Sequence, residues 1–276
     1  MLKNGGFPKV SVIISTYNRP VMLDRALASV HAQTFDDFEV IVVDDATPDV
    51  EAMQALVDKW EVQFRNRGIN LWPYRLEVNS GYQCFPKNRG VERASGDYIA
   101  YLDDDNEWMP DHLMALVALI ESDFSTDMVY SRVHYVIEDE ETRGMLLKAF
   151  DGQAPEGDTI GTPWNPSALY QKNFIDTSTV LHSKGAFWRL VRETGYGWDE
   201  GLRRFGDWNF VWRWGVIGNS ARLVDKVTVR YHWHKGSLQL TRPLIETPMS
   251  FNYAQWLATR KLTDEDSGYI GPDTTH

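Results

Sequence analysis

In the first half of the chain, short continuous apolar runs alternate with segments in which apolar residues recur at the spacing of a helix. Short apolar runs predict buried strands at residues 10–15, 39–43, 71–76 and 98–102. Between them, apolar residues at spacings of three and four predict a helix at residues 22–30, and further helices are predicted at residues 50–60 and 87–94. Because strands and helices alternate, we predict an α/β fold with a mostly parallel, Rossmann-like central sheet flanked by helices.

The second half of the chain has a mixed pattern. Strands are predicted at residues 127–136 and 226–233, and residues 144–150 are predicted to form the hairpin partner of the first. Residues 152–166 are rich in Gly and Pro and predict a loop, and a helix is expected near residues 208–214. We therefore expect a smaller, mixed region packed against the parallel sheet within a single compact domain.

Acidic residues follow two of the predicted strands directly. Asp44 and Asp45 end the second strand, and Asp103, Asp104 and Asp105 end the fourth. In parallel sheets, ligands bind outside these carboxyl ends. Adjacent carboxylates repel each other unless a cation is present, and a divalent metal held by carboxylates and substrate phosphates would supply it. A solvated acidic turn, or capping of the following helix, is the alternative explanation.

Two sequence runs carry a family resemblance. They are VSVIISTYNRPVMLDRALASVHAQTFDDFEVIVVDDATPD and NSGYQCFPKNRGVERASGDYIAYLDDDN. Together they resemble the nucleotide-sugar-binding half of family 2 glycosyltransferases with the A-type fold. The resemblance implies three regions: residues 1–120 as the nucleotide-sugar-binding half, residues 121–243 as the acceptor-binding and catalytic half, and residues 244–276 as a partly helical tail.

The resemblance also implies donor-binding roles for specific residues. Thr16 and Asp45 would line the base pocket, Asp104 would lie near the ribose, and Asp105 would bind a Mn²⁺ or Mg²⁺ ion that bridges the two phosphates. The remaining donor-binding candidates are Tyr17, Arg19, Lys87, Arg89 and Asp103. Residues 86–90 read Pro-Lys-Asn-Arg-Gly where many relatives carry Ala-Arg-Asn, so whether Lys87 or Arg89 faces a phosphate stays open.

The catalytic candidates lie in the second half. An inverting transfer needs a base on the acceptor side, and the segment around Asp207 resembles the family's Glu-Asp motif, with Gly206 replacing the first acid. Asp207 is our candidate base, and an ordinary helix cap is the alternative. His232 and His234 alternate on a predicted strand and would share one face. One of them would join Asp105 at the metal, or both are structural.

Acceptor contacts are expected from a segment that resembles a recurring part of the family. We assign the acceptor-binding role to Asp176, Thr177 and Trp208. A buried strand is the competing account of residues 174–181. The sequence leaves the acceptor open among a glycan, a lipid-linked sugar, a protein, a small molecule and a modified nucleic acid.

Composition narrows the class of protein further. The 276 residues carry a formal net charge of −11, and an acidic surface repels nucleic-acid phosphates and anionic membranes. Cys84 is the only cysteine, so no intramolecular disulfide is possible. The sequence shows neither a signal peptide nor a transmembrane segment. We expect a cytoplasmic protein, and peripheral association with a membrane stays open.

These observations predict an inverting, metal-dependent glycosyltransferase of the hexosyltransferase type. It would move a sugar from a nucleotide-diphosphate sugar, with UDP-sugars favoured, to an acceptor hydroxyl. A non-catalytic protein that binds nucleotide-sugars or glycans is the main alternative. A nucleotidyltransferase is less favoured, because the turn after the first strand is not a Gly-rich basic loop. The same turn lacks the glycine pattern of a dehydrogenase.

Overall fold

The computed structural model describes residues 7–149, 152, 154, 156–158, 161–202 and 205–236. In its first half, four strands alternate with three helices. The strands are β1 (Val10–Thr16), β2 (Phe38–Asp44), β3 (Asn70–Arg75) and β4 (Tyr98–Asp103), and the helices are α1 (Pro20–His31), α2 (Val50–Asn66) and α3 (Cys84–Arg93). All seven elements lie where the sequence pattern predicts them. The predicted tail, residues 244–276, lies outside the described residues.

The first four strands are parallel and lie in the order β3-β2-β1-β4. Their side chains alternate between two hydrophobic cores, so that Val12 and Ile14 of β1 belong to one core and Ile13 to the other. Helices α1 and α2 contribute to the first core and α3 to the second. Because helices cover both faces of this part of the sheet, β1, β2 and β4 are buried and mostly apolar, whereas the edge strand β3 is largely exposed.

The second half extends the sheet with strands in both directions. They are β5 (Glu107–Trp108), β6 (Met128–Ile137), β7 (Gly157–Asp158), β8 (Val180–Ser183) and β9 (Ala221–Trp233). The order continues as β4-β8-β6-β9-β5, with β8 antiparallel to both neighbours and β9 parallel to β6, while β7 pairs with β6. The predicted combination of a parallel sheet with a smaller mixed region is confirmed.

Four helices accompany this mixed region: α4 (His112–Glu121), α5 (Glu140–Ala149), α6 (Lys184–Thr194) and α7 (Gly206–Val216). Helix α7 was expected, whereas the sequence pattern does not predict α4 or α6. The predicted hairpin strand at residues 144–150 is wrong, because α5 takes up residues 144–149, and residue 150 lies outside the described residues. Asp139 accepts a hydrogen bond from the N–H of Thr142 at 2.6 Å, and such a bond stabilises the start of a helix.

Candidate active site

The C-terminal ends of β1, β2 and β4 meet at one edge of the sheet. Thr16 pairs with Asp44 in the strand register, and Ser15 pairs with Asp103. The two acidic strand ends therefore flank β1 on either side. A cavity of about 430 Å³ opens at this edge. Its lining comes from both halves of the chain: Ser15, Thr16, Tyr17, Arg19, Asp45, Asn79, Gly81, Tyr82, Gln83, Pro86, Asp103, Asp104, Asp105, Asp176, Thr177, Phe205, Asp207 and Tyr231.

Asp104 and Asp105 share one arginine. Nη1 of Arg19 lies 3.1 Å from Oδ1 of Asp104 and 3.0 Å from Oδ2 of Asp105. The hydroxyl of Thr16 donates to Oδ2 of Asp104 at 2.8 Å. Nε2 of His234 lies 3.0 Å from Oδ2 of Asp105. The structure thus joins five of the predicted donor and metal residues into one polar network: Thr16, Arg19, Asp104, Asp105 and His234.

The two carboxyl groups of this network have pKa values shifted in opposite directions. Burial, helped by the negative charge of Asp105, raises the pKa of Asp104. Burial also disfavours the ionised form of Asp105. The hydrogen bond from His234 and the charge of Arg19 outweigh that effect, so the pKa of Asp105 is lowered. Asp105 is therefore the carboxylate that stays ionised and can attract a cation.

Asp45 follows β2 and is held by the loop before α3. Its Oδ1 accepts the N–H of Ser80 at 2.9 Å, and its Oδ2 accepts the Asn79 amide at 3.0 Å and the Ser80 hydroxyl at 2.9 Å. Burial raises the pKa of Asp45 despite these bonds. Tyr17 lines the same cavity and is 42% exposed. This side of the cavity thus combines a fixed carboxylate with an open aromatic ring.

Lys87 supports the cavity without lining it. Its side chain is fully buried, with Nζ 2.8 Å from Oδ1 of Asp103 and 2.5 Å from Oε1 of Gln83. Nζ also lies 4.9 Å from the ring centroid of Trp198. The predicted donor-binding role of Lys87 therefore becomes an indirect one, since Lys87 fixes Asp103, which does line the cavity.

The structure does not bring Arg89 to the cavity. Its Nη2 atom lies 2.8 Å from Oε1 of Glu92 and 3.4 Å from Oε1 of Glu200. Its guanidinium lies 4.9 Å from the centroid of the Phe85 ring. Because these partners lie outside the cavity lining, we correct the prediction that Arg89 binds the donor.

Asp207 enters the cavity from the first turn of α7. Its Oδ2 accepts the side-chain amide of Asn173 at 2.9 Å. Burial, with a contribution from the charge of Asp103, raises the pKa of Asp207. Phe205, two residues before Asp207, has φ of 59°, a left-handed conformation that is strained for a bulky side chain and is often found at functional sites.

Gly206 explains why the first acid of the predicted Glu-Asp motif is missing. A Cβ atom at this position would lie 2.4 Å from Sγ of Cys84 and 3.2 Å from Cε1 of Tyr82. Both neighbours belong to the segment at the start of α3, and Cys84 is buried. A larger residue at position 206 would therefore displace the wall of the cavity.

Two of the three predicted acceptor residues line the cavity, and one does not. Asp176 and Thr177 line it, and Oδ1 of Asp176 accepts the N–H of Ser178 at 2.8 Å. Burial, together with the negative charge of Asp103, raises the pKa of Asp176. The assignment of Trp208 is corrected, because this residue is buried in the core and its indole N–H donates to the carbonyl of Leu169 at 2.7 Å.

The two histidines have different partners. Nε2 of His232 lies 2.6 Å from Oε2 of Glu107, and its Nδ1 lies 3.2 Å from Oε1 of Glu138. The expectation that His232 and His234 share one face stays a prediction, since β9 ends at Trp233, between the two residues. Of the two, His234 is the one that contacts Asp105.

The donor set suits a metal that binds together with a diphosphate. Within residues 7–149 and the described parts of 152–236, no group of three His, Cys, Asp or Glu side chains could hold a metal ion. Asp105 and His234 still offer one carboxylate and one imidazole, a combination that fits Mn²⁺ or Mg²⁺ when phosphates complete the shell. Nδ1 of His234 accepts the N–H of Gly236 at 3.1 Å, which leaves the proton on Nε2. For Nε2 to bind a metal, its proton would have to move to Nδ1, and the hydrogen bond from Gly236 would then open.

Several cavity residues were not among the sequence candidates. They are Ser15, Asn79, Gly81, Tyr82, Gln83, Pro86, Phe205 and Tyr231. The segment from 79 to 81 reads as a loop in the sequence, and Tyr231 directly precedes the candidate His232. The position of residues 79–86 depends on how the loop folds over the sheet edge, for which a local pattern carries no signal. Ser15 ends the first predicted strand, so the rule for parallel sheets could have placed it at the cavity.

A sheet of this order, with acidic strand ends that face one cavity, has the A-type fold of its structural neighbours, among them S. aureus TarS. The sequence profile described as "Glycosyl transferase family 2" matches residues 11–179, and the chain belongs to this family. Among the described helices, none combines the length and apolar character that a membrane span requires.

Three proteins illustrate the similarity. The amylovoran biosynthesis glycosyltransferase AmsB of Erwinia amylovora is 27% identical over 228 residues, which cover 80% of this chain and 69% of AmsB. The GalNAc(5)-diNAcBac-PP-undecaprenol beta-1,3-glucosyltransferase of Campylobacter jejuni is 34% identical over 155 residues, 55% of this chain and 45% of that protein. The crystal structure of S. aureus TarS 1-349 with UDP-GlcNAc has a TM-score of 0.63 at 22% identity, over 83% of this chain and 59% of that one. The last comparison shows a shared fold.

Proposed function

We propose that this glycosyltransferase transfers a sugar from a nucleotide-diphosphate sugar, with UDP-sugars favoured, to an acceptor hydroxyl with inversion at the anomeric carbon. One observation carries the proposal: carboxylates from the donor half and from the catalytic half face a single cavity. Asp45, Asp104 and Asp105 come from the ends of β2 and β4, and Asp207 comes from the start of α7. The UDP-GlcNAc bound by TarS, which shares the fold, supports a UDP-sugar as the donor.

The donor half supplies recognition of the nucleotide. Tyr17 offers an exposed ring on which a base can stack. Asp45 and Thr16 offer oxygen atoms for hydrogen bonds to the base, and Asp104 does the same for the ribose. Asn79 and Ser80 hold Asp45 in place through three hydrogen bonds, so little of its freedom is lost on binding.

A divalent ion, Mn²⁺ or Mg²⁺, would be held by Asp105 and His234, and it would supply positive charge to the diphosphate as this group leaves. Arg19 already contacts the carboxylates of both Asp104 and Asp105. It can move from them to the phosphate oxygens, because guanidinium groups bind phosphate well.

Asp207 acts as the base in this proposal. It removes the proton from the acceptor hydroxyl, whose oxygen attacks the anomeric carbon while the bond from that carbon to the diphosphate oxygen breaks. A base works best when its pKa approaches the working pH, and burial raises the pKa of Asp207 in that direction. The hydrogen bond from Asn173 fixes the orientation of the carboxylate.

A protein that binds nucleotide-sugars or glycans without turnover remains the alternative from another class. The intact set of Asp105, Asp207 and His234 argues against it, and product formation with any acceptor would reject it. Calorimetric titration tests the donor site first, with UDP, GDP, dTDP and CDP, each with and without Mn²⁺. We expect metal-dependent binding of UDP to the wild type and its loss in Asp105→Ala.

Asp207→Asn is the matched control, because it should bind UDP as the wild type does. Absence of binding by every diphosphate, in protein shown to be folded by circular dichroism, would overturn the assignment of the donor site. Binding of a different diphosphate would keep the site and replace UDP as the donor nucleotide.

A further inference from the structure

The second half of the chain contributes its own wall of the cavity. We call it the acceptor-side wall, and it consists of Asp176, Thr177, Phe205, Asp207 and Tyr231. These residues come from the segment before β8, from the start of α7 and from β9. The remaining lining residues all belong to the first 105 positions, where the donor site is proposed. An acceptor that approaches Asp207 therefore meets this wall.

Two aromatic rings of the wall are held in fixed positions. Tyr231 packs against Tyr135 at 5.6 Å and against Trp233 at 5.1 Å between ring centroids. Phe205 meets the ring of the buried Trp208 edge-on at 6.1 Å. Rings that are held by neighbours lose little conformational freedom on binding, and they offer flat apolar surfaces. The C–H face of a sugar ring is complementary to such a surface.

The polar groups of the wall are carboxyl and hydroxyl groups, which can form hydrogen bonds. Asp176 and Asp207 are its ionisable groups besides Tyr231, and the wall contains no Lys, Arg or His among its five residues. The nearby ammonium group of Lys87 is buried and paired with Asp103. Burial raises the pKa of both Asp176 and Asp207, which indicates that this part of the cavity disfavours additional negative charge.

The aromatic rings and carboxyl groups of the wall favour a sugar over a phosphate as the group that binds there. Carboxylates accept hydrogen bonds from sugar hydroxyls. A phosphate at the same place would bring negative charge to buried carboxyl groups whose surroundings already disfavour it, and the wall offers none of the guanidinium or ammonium groups that usually bind phosphates.

We propose that the acceptor-side wall binds an uncharged sugar ring, with Tyr231 against its apolar face and Asp176 holding its hydroxyl groups. The inference rests on the proposed function and adds to it the class of acceptor. Any phosphate of the acceptor lies away from the sugar that carries the reacting hydroxyl. Tyr231 and Asp176 are then specificity-determining residues for this sugar.

Saturation-transfer NMR on the full chain with saturating UDP and Mn²⁺ tests this inference. The probes are methyl β-D-glucopyranoside, methyl β-D-galactopyranoside and sn-glycerol 3-phosphate. We expect saturation of at least one methyl glycoside and none of glycerol 3-phosphate. Tyr231→Ala should weaken the glycoside by about tenfold, whereas Tyr231→Phe should keep most of the binding. Tyr170→Ala, a tyrosine outside the cavity, is the matched control.

The same NMR experiment on Asp176→Asn tests the inference independently if Tyr231→Ala does not fold. It should weaken the glycoside, because the amide replaces one of the two oxygen atoms that Asp176 offers to the sugar hydroxyls. Saturation of glycerol 3-phosphate alone, or of no probe, would overturn the inference when UDP binding is intact. A sample that binds no UDP rejects the proposed function itself, and this inference with it.

Discussion

Nη1 of Arg19 lies 3.0 Å from Oδ2 of Asp105, the carboxylate oxygen that Nε2 of His234 also approaches to 3.0 Å. Arg19 is the one Lys, Arg or His side chain among the described residues that line the cavity. A metal ion at Asp105 would compete with this guanidinium for the same oxygen. We therefore expect the protein alone to bind a metal weakly, and to bind it more tightly when a diphosphate draws Arg19 away.

Replacing Arg19 tests this competition. Arg19→Gln leaves Asp104 and Asp105 without a cation, and we expect the free energy of unfolding to fall by about 1–2 kcal/mol, a value reduced for partial solvent exposure. Mn²⁺ added without nucleotide should then stabilise the variant more than the wild type, since binding to the native state adds stability. Urea unfolding with and without Mn²⁺ measures both effects.

Arg189→Gln is the control for Arg19→Gln. Arg189 pairs with Asp127 at 2.7 Å, outside the cavity lining. Its removal should leave the response to Mn²⁺ as in the wild type. Equal stabilisation of Arg19→Gln and of the wild type by Mn²⁺ would show that Arg19 and the metal do not compete.

Asp207→Asn tests the assignment of the base. The amide oxygen of Asn can still accept the hydrogen bond from Asn173, so the fold and UDP binding should persist. We expect kcat to fall by about 10²–10⁴-fold, the usual contribution of a positioned base. Steady-state rates with a UDP-sugar measure the loss, and Glu200→Gln serves as a control outside the cavity lining. A kcat within a few fold of the wild type would remove Asp207 from the mechanism.

The pH profile of activity tests which carboxyl group limits the rate. As a base, Asp207 must be ionised, so kcat/KM should fall as the pH drops through its raised pKa. Asp103→Asn removes a negative charge that raises this pKa and leaves the charge of Lys87 unpaired nearby. Both changes lower the pKa of Asp207, so the acidic limb should move to lower pH, by about half a unit or more. An unchanged limb, or one at higher pH, would contradict the assignment.

The stability of Asp176→Asn should depend on pH in a defined direction. Unfolded Asp ionises near pH 3.9, whereas native Asp176 keeps its proton to higher pH because its pKa is raised. Within this window the native state binds more protons than the unfolded state, and stability falls as the pH rises. Asn does not ionise. The free energy of unfolding of Asp176→Asn, measured with urea, should therefore rise relative to that of the wild type from about pH 5 to about pH 8. An equal difference at both pH values would contradict the raised pKa.

Gly206→Ala tests the close packing next to the candidate base. The new Cβ would lie 2.4 Å from Sγ of Cys84, and overpacking of this kind costs about 1–3 kcal/mol of stability. Cys84→Ala should recover most of the loss in the double variant, because it removes the atom that the Cβ meets. Thermal unfolding of the four proteins gives the coupling energy. Additive effects of the two substitutions would show that Cys84 does not limit position 206.

The parallel half of the fold and its acidic edge are predictable from the sequence. Strands buried on both faces give continuous apolar runs, and the rule for parallel sheets places their carboxyl ends together. Asp45, Asp104 and Asp105 therefore fall at the cavity before any coordinate is known, and the structure places all three there.

Other features depend on contacts that local patterns do not encode. Residues 144–149 of the predicted strand are helical, and the bond from Asp139 that stabilises the start of this helix lies outside the predicted segment. His232 contacts Glu107 and Glu138, which come from other parts of the chain, and its local sequence does not show these partners. The aromatic pattern does not show whether a tryptophan lies in the core or at the surface, and Trp208 lies in the core.

Release of UDP from UDP-glucose and UDP-GlcNAc, in the presence of Mn²⁺ and a methyl glycoside acceptor, tests the central claim most directly. We predict that the wild type forms a glycosylated product and UDP in equal amounts, while Asp207→Asn binds UDP but forms neither at a comparable rate. No product from the wild type with any donor and acceptor pair, with UDP binding intact, would contradict catalysis and favour a protein that only binds its nucleotide-sugar.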